Sequence, residues 1–249
     1  MSILVQRKFH VAPKDRAEFE RQSREGLWPA FLEFGAQMVA YGRWEFAEPN
    51  DGVVTHTVYE DFEHWNATRK EWLGQPGAFY RDEFVAPLVA PYLPIYDHRN
   101  AMIAHSQARL IDVNAEVSAP SVHYRRPGTE PAPAPSTFGR GSVVSERTYS
   151  LEPGAEPEFL RLSRELIWPW LESVGARMVV YGQDPLDPPD EVVTLFAFRS
   201  LEDWHRLSRP GPELEPSAEV VRAWGQRAAL VRSHRGRLLT VLTDFGAQA

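Results

Sequence analysis

The sequence contains no cysteine. Disulfide staples, thiol nucleophiles and thiolate metal sites are therefore excluded, and the lack of thiols suits a reducing compartment. No apolar run approaches the roughly 20 residues that a membrane-spanning helix requires. At the amino terminus, Met1 to Val5 is followed at once by Gln6-Arg7-Lys8, too short an apolar stretch for a secretory leader. The expected setting is thus cytoplasmic, with no membrane partner. Excess positive charge is also missing: 27 Lys and Arg stand against 34 Asp and Glu, for a net charge of -7. Nucleic acid, whose phosphates demand a basic face, is not an expected partner.

Metal and nucleotide motifs are absent as well. No His-x-x-x-His or His-Glu-x-x-His pair occurs, and His98, His105, His123, His205 and His234 are dispersed. Nothing marks an axial histidine for haem. Gly139-Arg140-Gly141 precedes a strand rather than a helix, so it is no phosphate loop. Ser23-Arg24-Glu25 and Ser163-Arg164-Glu165 sit in helical contexts without the sharp elbow of a nucleophilic serine. The expectation is a protein with no metal and no cofactor.

What is present is an internal repeat. Phe19–Gly42 aligns without gaps on Phe159–Gly182, and thirteen of 24 positions are identical, among them Trp28/Trp168, Pro29/Pro169, Gly35/Gly175, Tyr41/Tyr181 and Gly42/Gly182. Chance does not produce that density. The match continues with a one-residue shift from Val53-Val54-Thr55 to Val192-Val193-Thr194 and on to Trp65/Trp204. Near the ends, His98-Arg99 is matched with His234-Arg235.

Each half reads β-α-β-β-α-β. First strands are expected at Ile3 to His10 and Val143 to Ser150, with turns at Ala12-Pro13 and Pro153-Gly154. Helices follow from the 3.6-residue spacing of Phe19, Leu27, Phe31 and Phe34, and of Phe159, Leu162, Leu166, Trp170 and Val174. Pro29 and Pro169 lie inside them, which predicts a kink or break. Gly35 and Gly175 stop them. Two more strands, a helix capped by Asp61 or Ser200, further helical material at Gln75 to Tyr92 and Pro212 to Val231, and last strands near Ala101 to Ile111 and Arg237 to Leu242 complete each half. The proline-rich stretch Pro127 to Pro135 reads as an extended linker. The expected division is residues 1–113, a linker at 114–141, and residues 142–249.

The β-α-β-β-α-β order is that of the ferredoxin-like unit. Arg7-Lys8-Phe9 with Val11-Ala12-Pro13, Arg147-Thr148-Tyr149 with Leu151-Glu152-Pro153-Gly154, the Trp28-Pro29 to Gly35-Ala36 stretch, and Tyr59-Glu60-Asp61-Phe62 with Trp65 and Arg69 resemble NIPSNAP domains. The second half departs, with Phe198-Arg199-Ser200-Leu201 in place of Tyr-Glu-Asp-Phe. The resemblance implies an α+β class: two tandem ferredoxin-like units packed as an intramolecular pseudo-dimeric α+β barrel, with a ligand-sized cavity. It carries a fold rather than a single agreed reaction.

Four residues are candidate site groups. Arg7 and Arg147 occupy equivalent places in the first strands. They read either as anion anchors in the barrel cavity, suited to a carboxylate or enolate, or as structural partners of Glu25 and Glu165. His56 lies mid-strand where the second half has Leu195, and Tyr59 stands where it has Phe198. A polar group in one copy only is what divergence toward a site looks like, and histidine titrates near neutral pH, so His56 and Tyr59 are candidate acid-base groups. Eight tryptophans supply core, and those at the barrel mouths could line a pocket for a planar ligand. Two functions stay open. One is a cofactor-independent enzyme, a cyclase, isomerase or monooxygenase acting on a hydrophobic, aromatic or polyketide-like secondary metabolite. The other is a non-catalytic binding or interaction protein. Either is compatible with assembly into a homo-oligomer.

Overall fold

The computed structural model describes residues 2–33, 35–46, 52–68, 71–72, 75–76, 87, 90–125, 139–209 and 211–244. In the first half, strand β1 (Ser2–Val11) leads into α1 (Arg16–Gln22), a π-helical turn (Ser23–Leu27) and α2 (Trp28–Glu33). Strands β2 (Gln37–Trp44) and β3 (Gly52–Tyr59), helices α3 (Phe62–Ala67) and α4 (Leu93–Ala101) and strand β4 (Ile103–Val113) complete it. The second half repeats the plan: β5 (Val143–Leu151), α5 (Glu156–Leu162), a π-helical turn (Ser163–Ile167), α6 (Trp168–Ser173), β6 (Arg177–Gln183), β7 (Glu191–Phe198), α7 (Leu201–Ser208), α8 (Ala218–Ala229) and β8 (Val231–Val241). Thus β8 begins six residues before the expected Arg237, because the preceding helix ends at Ala229. Arg69, Phe34, most of Gln75 to Tyr92 and Pro127 to Pro135 lie outside the described residues.

The eight strands close into one antiparallel barrel in the order β1-β3-β2-β8-β5-β7-β6-β4. Each half contributes a four-stranded sheet, and two seams join them. At one, Val241 of β8 pairs with Gly42 of β2; at the other, Val113 of β4 pairs with Gly182 of β6. A Cβ on Gly42 would stand 2.1 Å from the Thr240 carbonyl oxygen, and one on Gly182 would stand 2.1 Å from that of Asp112. The repeated glycine is therefore what lets the two sheets close on each other.

The repeated proline has an equally local reason. Pro29 and Pro169 have no N–H, and their rings crowd the carbonyl four residues back. The helix answers with a wider turn: the Trp28 N–H reaches Ser23 O, and the Trp168 N–H reaches Ser163 O, five residues back. The expected kinks are thus π-turns inside continuous helices. Gly35 (φ 80) and Gly175 (φ 105) end the helices as expected, with Ala36 N–H bonded to Phe31 O and Ala176 N–H to Leu171 O. Asp61 and Ser200 cap α3 and α7 by accepting from His64 N and Asp203 N.

Both faces of the strands are buried, except along the exposed first halves of β4 and β8. One face fills the barrel: Leu4, Val54, Val58, Ile111 and Val113 meet Val144, Val193, Leu195, Ala197, Leu239 and Val241 in one cluster. The other face packs under the helices of its own half. The ligand cavity expected within the barrel is corrected by this packing, since an eight-stranded barrel is just wide enough for its side chains to fill. The start of the expected linker is also packed rather than extended. Ser118 Oγ donates to Tyr181 O, Ala119 N–H reaches Val179 O, and Val122 is fully buried in the barrel cluster.

Candidate functional site: the sheet-to-helix pocket of the second half

A cavity of about 270 Å³ lies between the second sheet and its helices. Strand alternation puts Ser145, Arg147 and Tyr149 of β5 on its floor beside Thr194, Phe196 and Phe198 of β7. Its walls are Trp168 and Leu171 of α6, Trp204 and Leu207 of α7, and Trp224 and Arg227 of α8.

Arg227 is the organised cation. Its guanidinium lies 5.2 Å from the Phe159 ring centroid and 5.7 Å from that of Tyr149, and donates to Ser163 Oγ at 3.2 Å. Ser163 in turn donates to Phe159 O at 2.7 Å, from within the π-turn that Pro169 imposes. Burial lowers the Arg227 pKa, Tyr149 opposes that shift, and the nearby positive charge of Arg147 adds to it. Among the described residues, no carboxylate forms an ion pair with Arg147 or Arg227. The alternative pairing of Arg147 with Glu165 does not form, because Arg161 takes Glu165 at 2.8 Å on the exposed helix face; Arg21 takes Glu25 in the same way. Trp168 is 5% exposed, and its indole Nε1–H has no hydrogen-bond partner. Two guanidinium groups and aromatic walls suit a flat apolar molecule bearing a negative oxygen.

Arg147 also borders a larger cleft of about 640 Å³ with Lys8, Trp44, Glu45, Gln107, His234 and Arg237, so the pocket adjoins a mouth with three cations and one carboxylate. The excess of cations attracts anions to this mouth, and its low-dielectric walls focus the field.

The four expected site residues do not converge. Arg7 and Arg147 lie on the helix-facing side of their sheets, each lining a pocket of its own half. His56 faces the other way, into the barrel, and is 1% exposed. The Gln6 amide donates to His56 Nε2 at 2.9 Å and to Glu146 Oε2 at 2.5 Å. Because that nitrogen accepts, the imidazole proton resides on Nδ1, and burial holds the pKa down to about 4. Arg109 closes this inner network, at 3.5 Å from Glu146, 3.1 Å from Asp184 and 2.6 Å from Asp187. Tyr59 is fully buried on the helix-facing side, stacked edge-on against His64, and burial raises its pKa.

Arg227 was missed because the sequence comparison matched His98-Arg99 with His234-Arg235. The structural counterpart of Arg99 is Arg227, each on the helix before its last strand. The signal was present: Arg99 precedes Met102-Ile103 as Arg227 precedes Leu230-Val231.

Among the described residues, no cluster of three metal-binding side chains occurs and no helix is long and apolar enough to cross a membrane. No protein-family model and no curated protein matches the chain. Solved structures do. A candidate monooxygenase from Fusobacterium nucleatum superposes with a TM-score of 0.60 at 10% identity, covering 98% of this chain and 95% of that one. An anthrone oxidase-like protein gives 0.51 at 11%, covering 100% and 94%. This chain is a two-unit α+β barrel. It also resembles NIPSNAP proteins one unit at a time: a NIPSNAP family protein from Agrobacterium tumefaciens is 25% identical over 43% of this chain and 99% of its own length, with a TM-score of 0.36.

Proposed function

We propose that the second-half pocket binds a flat, hydrophobic aromatic molecule through an ionisable phenol or enol oxygen and promotes its oxygenation by dioxygen without a cofactor. The observation that carries this reading is the pair Arg147, exposed on the floor of an aromatic pocket, and Arg227, half-buried in its wall, both without a carboxylate partner among the described residues. Paired guanidinium groups favour the ionised oxygen, lowering the substrate's pKa and placing charge on the adjacent ring carbon. That carbanion character is what dioxygen needs in order to accept an electron. For a doubly benzylic CH₂, the overall change would be R₂CH₂ + O₂ → R₂C=O + H₂O, with one oxygen atom retained in the new carbonyl and the other leaving with both hydrogens. The candidate monooxygenase and anthrone oxidase-like neighbours lend the reaction class by analogy.

A second reading has an observation of its own. Among the described residues, no carboxylate and no histidine lines the pocket, so the proton leaves to solvent rather than to a built base. That favours a protein that only binds such molecules. Anthrone separates the readings: quenching of tryptophan fluorescence reports binding, and an oxygen electrode reports turnover. Quenching with oxygen uptake above the uncatalysed rate, both weakened in Arg227→Gln, supports the enzyme. Quenching without uptake supports the binder, and no quenching by anthrone or other flat phenols refutes both.

A further inference from the structure

The first half carries its own arginine pair, over a pocket of different character. Arg99, on α4, is 5% exposed. Its guanidinium lies 3.9 Å from the Phe19 ring centroid and 4.8 Å from that of Phe9, and its Nε donates to Ser23 Oγ at 2.7 Å. This is the Arg227 arrangement drawn tighter. Arg7 shares the same cavity of about 370 Å³, with Tyr96, Asn100, Ser106 and Gln107 on its border. Burial pulls the Arg99 pKa down to about 10, with Arg7 adding to the shift and Tyr96 and Tyr41 opposing it.

Arg99 needs a counter-charge, because a buried charge left unpaired is strongly unfavourable, and the half-buried Arg7, 5.9 Å from the Trp65 ring centroid, adds a second positive charge at the same cavity. Among the described residues, neither Arg7 nor Arg99 forms an ion pair with a carboxylate. Stacking on Phe9 and Phe19 and one bond to a hydroxyl solvate part of Arg99 but do not neutralise it. The border also sets the ligand's size and polarity. Both pockets keep the matched tryptophan, Trp65 here and Trp204 there, but where the second-half pocket adds Phe196, Phe198 and Trp224, this one adds an amide from Asn100, an amide from Gln107 and hydroxyls from Ser106 and Tyr96. A flat apolar ligand meets less aromatic wall there, whereas a small polar oxyanion finds two guanidinium forks and several hydrogen-bonding groups.

We propose that the first half is a second, separate ligand site, which takes a small polar molecule through a carboxylate or phosphate group held by Arg7 and Arg99. The duplication has then produced two pockets of one descent and two chemistries, one aromatic and one polar. This inference is independent of the oxygenation proposed for the other half.

Calorimetric titration of the full-length Arg147→Gln protein in chloride buffer tests it, since that background weakens anion binding in the second half. Succinate and inorganic phosphate are titrated separately, which distinguishes carboxylate from phosphate ligands. The expected result is one site per chain for at least one of them. Adding Arg7→Gln is expected to weaken that binding at least tenfold while circular dichroism and melting stay near those of the parent. Arg99→Gln tests the buried member, and Arg7→Gln keeps the test open if that variant fails to fold. Absence of binding for both anions overturns the proposal, as does equal binding with and without Arg7→Gln.

Discussion

Replacing His56 by leucine tests the inner architecture of the barrel. Leu195 already occupies the matched position, and His56 is sealed at 1% exposure beside Gln6, so leucine fits the surroundings. At neutral pH the variant loses one hydrogen bond, since the Gln6 amide still donates to Glu146, and a cost of about 1 kcal/mol is expected. The informative term is its pH dependence. The folded imidazole titrates near 4, against 6.5 for an unperturbed one. A depressed folded pKa means that the unfolded chain takes up the proton first. The stability contribution is therefore complete above pH 6.5, declines as pH falls, and is gone below about 4. Between pH 7 and pH 5 the wild-type protein should lose about 2 kcal/mol through this group, rising to about 3 kcal/mol by pH 4. His56→Leu abolishes that component, so the stability difference between the two proteins shifts by about 2 kcal/mol over those two pH units. Urea denaturation at pH 7 and pH 5, with both proteins in the same buffers, measures it. A difference that stays constant with pH would mean that His56 titrates normally when folded, and the sealed interior would be wrong.

Arg109→Met should cost roughly 3–5 kcal/mol, because Glu146 and Asp184 are buried and lose their cation; its counterpart Arg237, which lies over Trp44 instead, should cost under about 1 kcal/mol when changed to Met, and paired urea melts compare them. Gly42→Ala and Gly182→Ala should each destabilise by roughly 1–3 kcal/mol as the new methyl pushes the seam apart, measured by thermal melting; wild-type melting of both would refute the close approach. Trp28→Ala, at 1% exposure, should cost roughly 3–5 kcal/mol.

The architecture was legible because the repeat, its glycines and its prolines each answer to a local requirement. Gly35 and Gly175 close the same helix-ending turn, Gly42 and Gly182 close the same seam, and Pro29 and Pro169 force the same π-turn. Position along a strand was legible too, but the direction a side chain faces was not. In a half-buried sheet, alternation tells inside from outside. Here both faces are apolar, so Val54-Thr55-His56-Thr57-Val58 looks alike from either side. Pairing decides it: Gln6 opposite His56 and Arg109 places all three in the barrel, while Arg7, one residue on, falls opposite Thr55 and Ala108 on the helix side. Arg7 and His56 were thus candidates for one site and lie on opposite faces of one sheet.

The arginine on the last helix escaped for a different reason. The offset between the halves is 139 residues at Trp65/Trp204 but 128 at Arg99/Arg227, so an alignment carried forward from the conserved first helix loses register in the segment between. What survives that change of length is the geometry of the cation: an aromatic from the first strand, a phenylalanine from the first helix, and the serine of the π-turn surround Arg99 and Arg227 alike. Serine, proline and phenylalanine of the repeat are in that sense one device. Pro29 and Pro169 widen the turn, the widened turn carries Ser23 and Ser163, and each serine hydroxyl meets the arginine that faces the pocket of its own half. Thirteen identities in the repeat therefore report more than core packing. Some of them hold a positive charge beneath each helical layer, while the walls around that charge differ between the halves, with Phe196, Phe198 and Trp224 added in one and Asn100, Ser106 and Gln107 in the other.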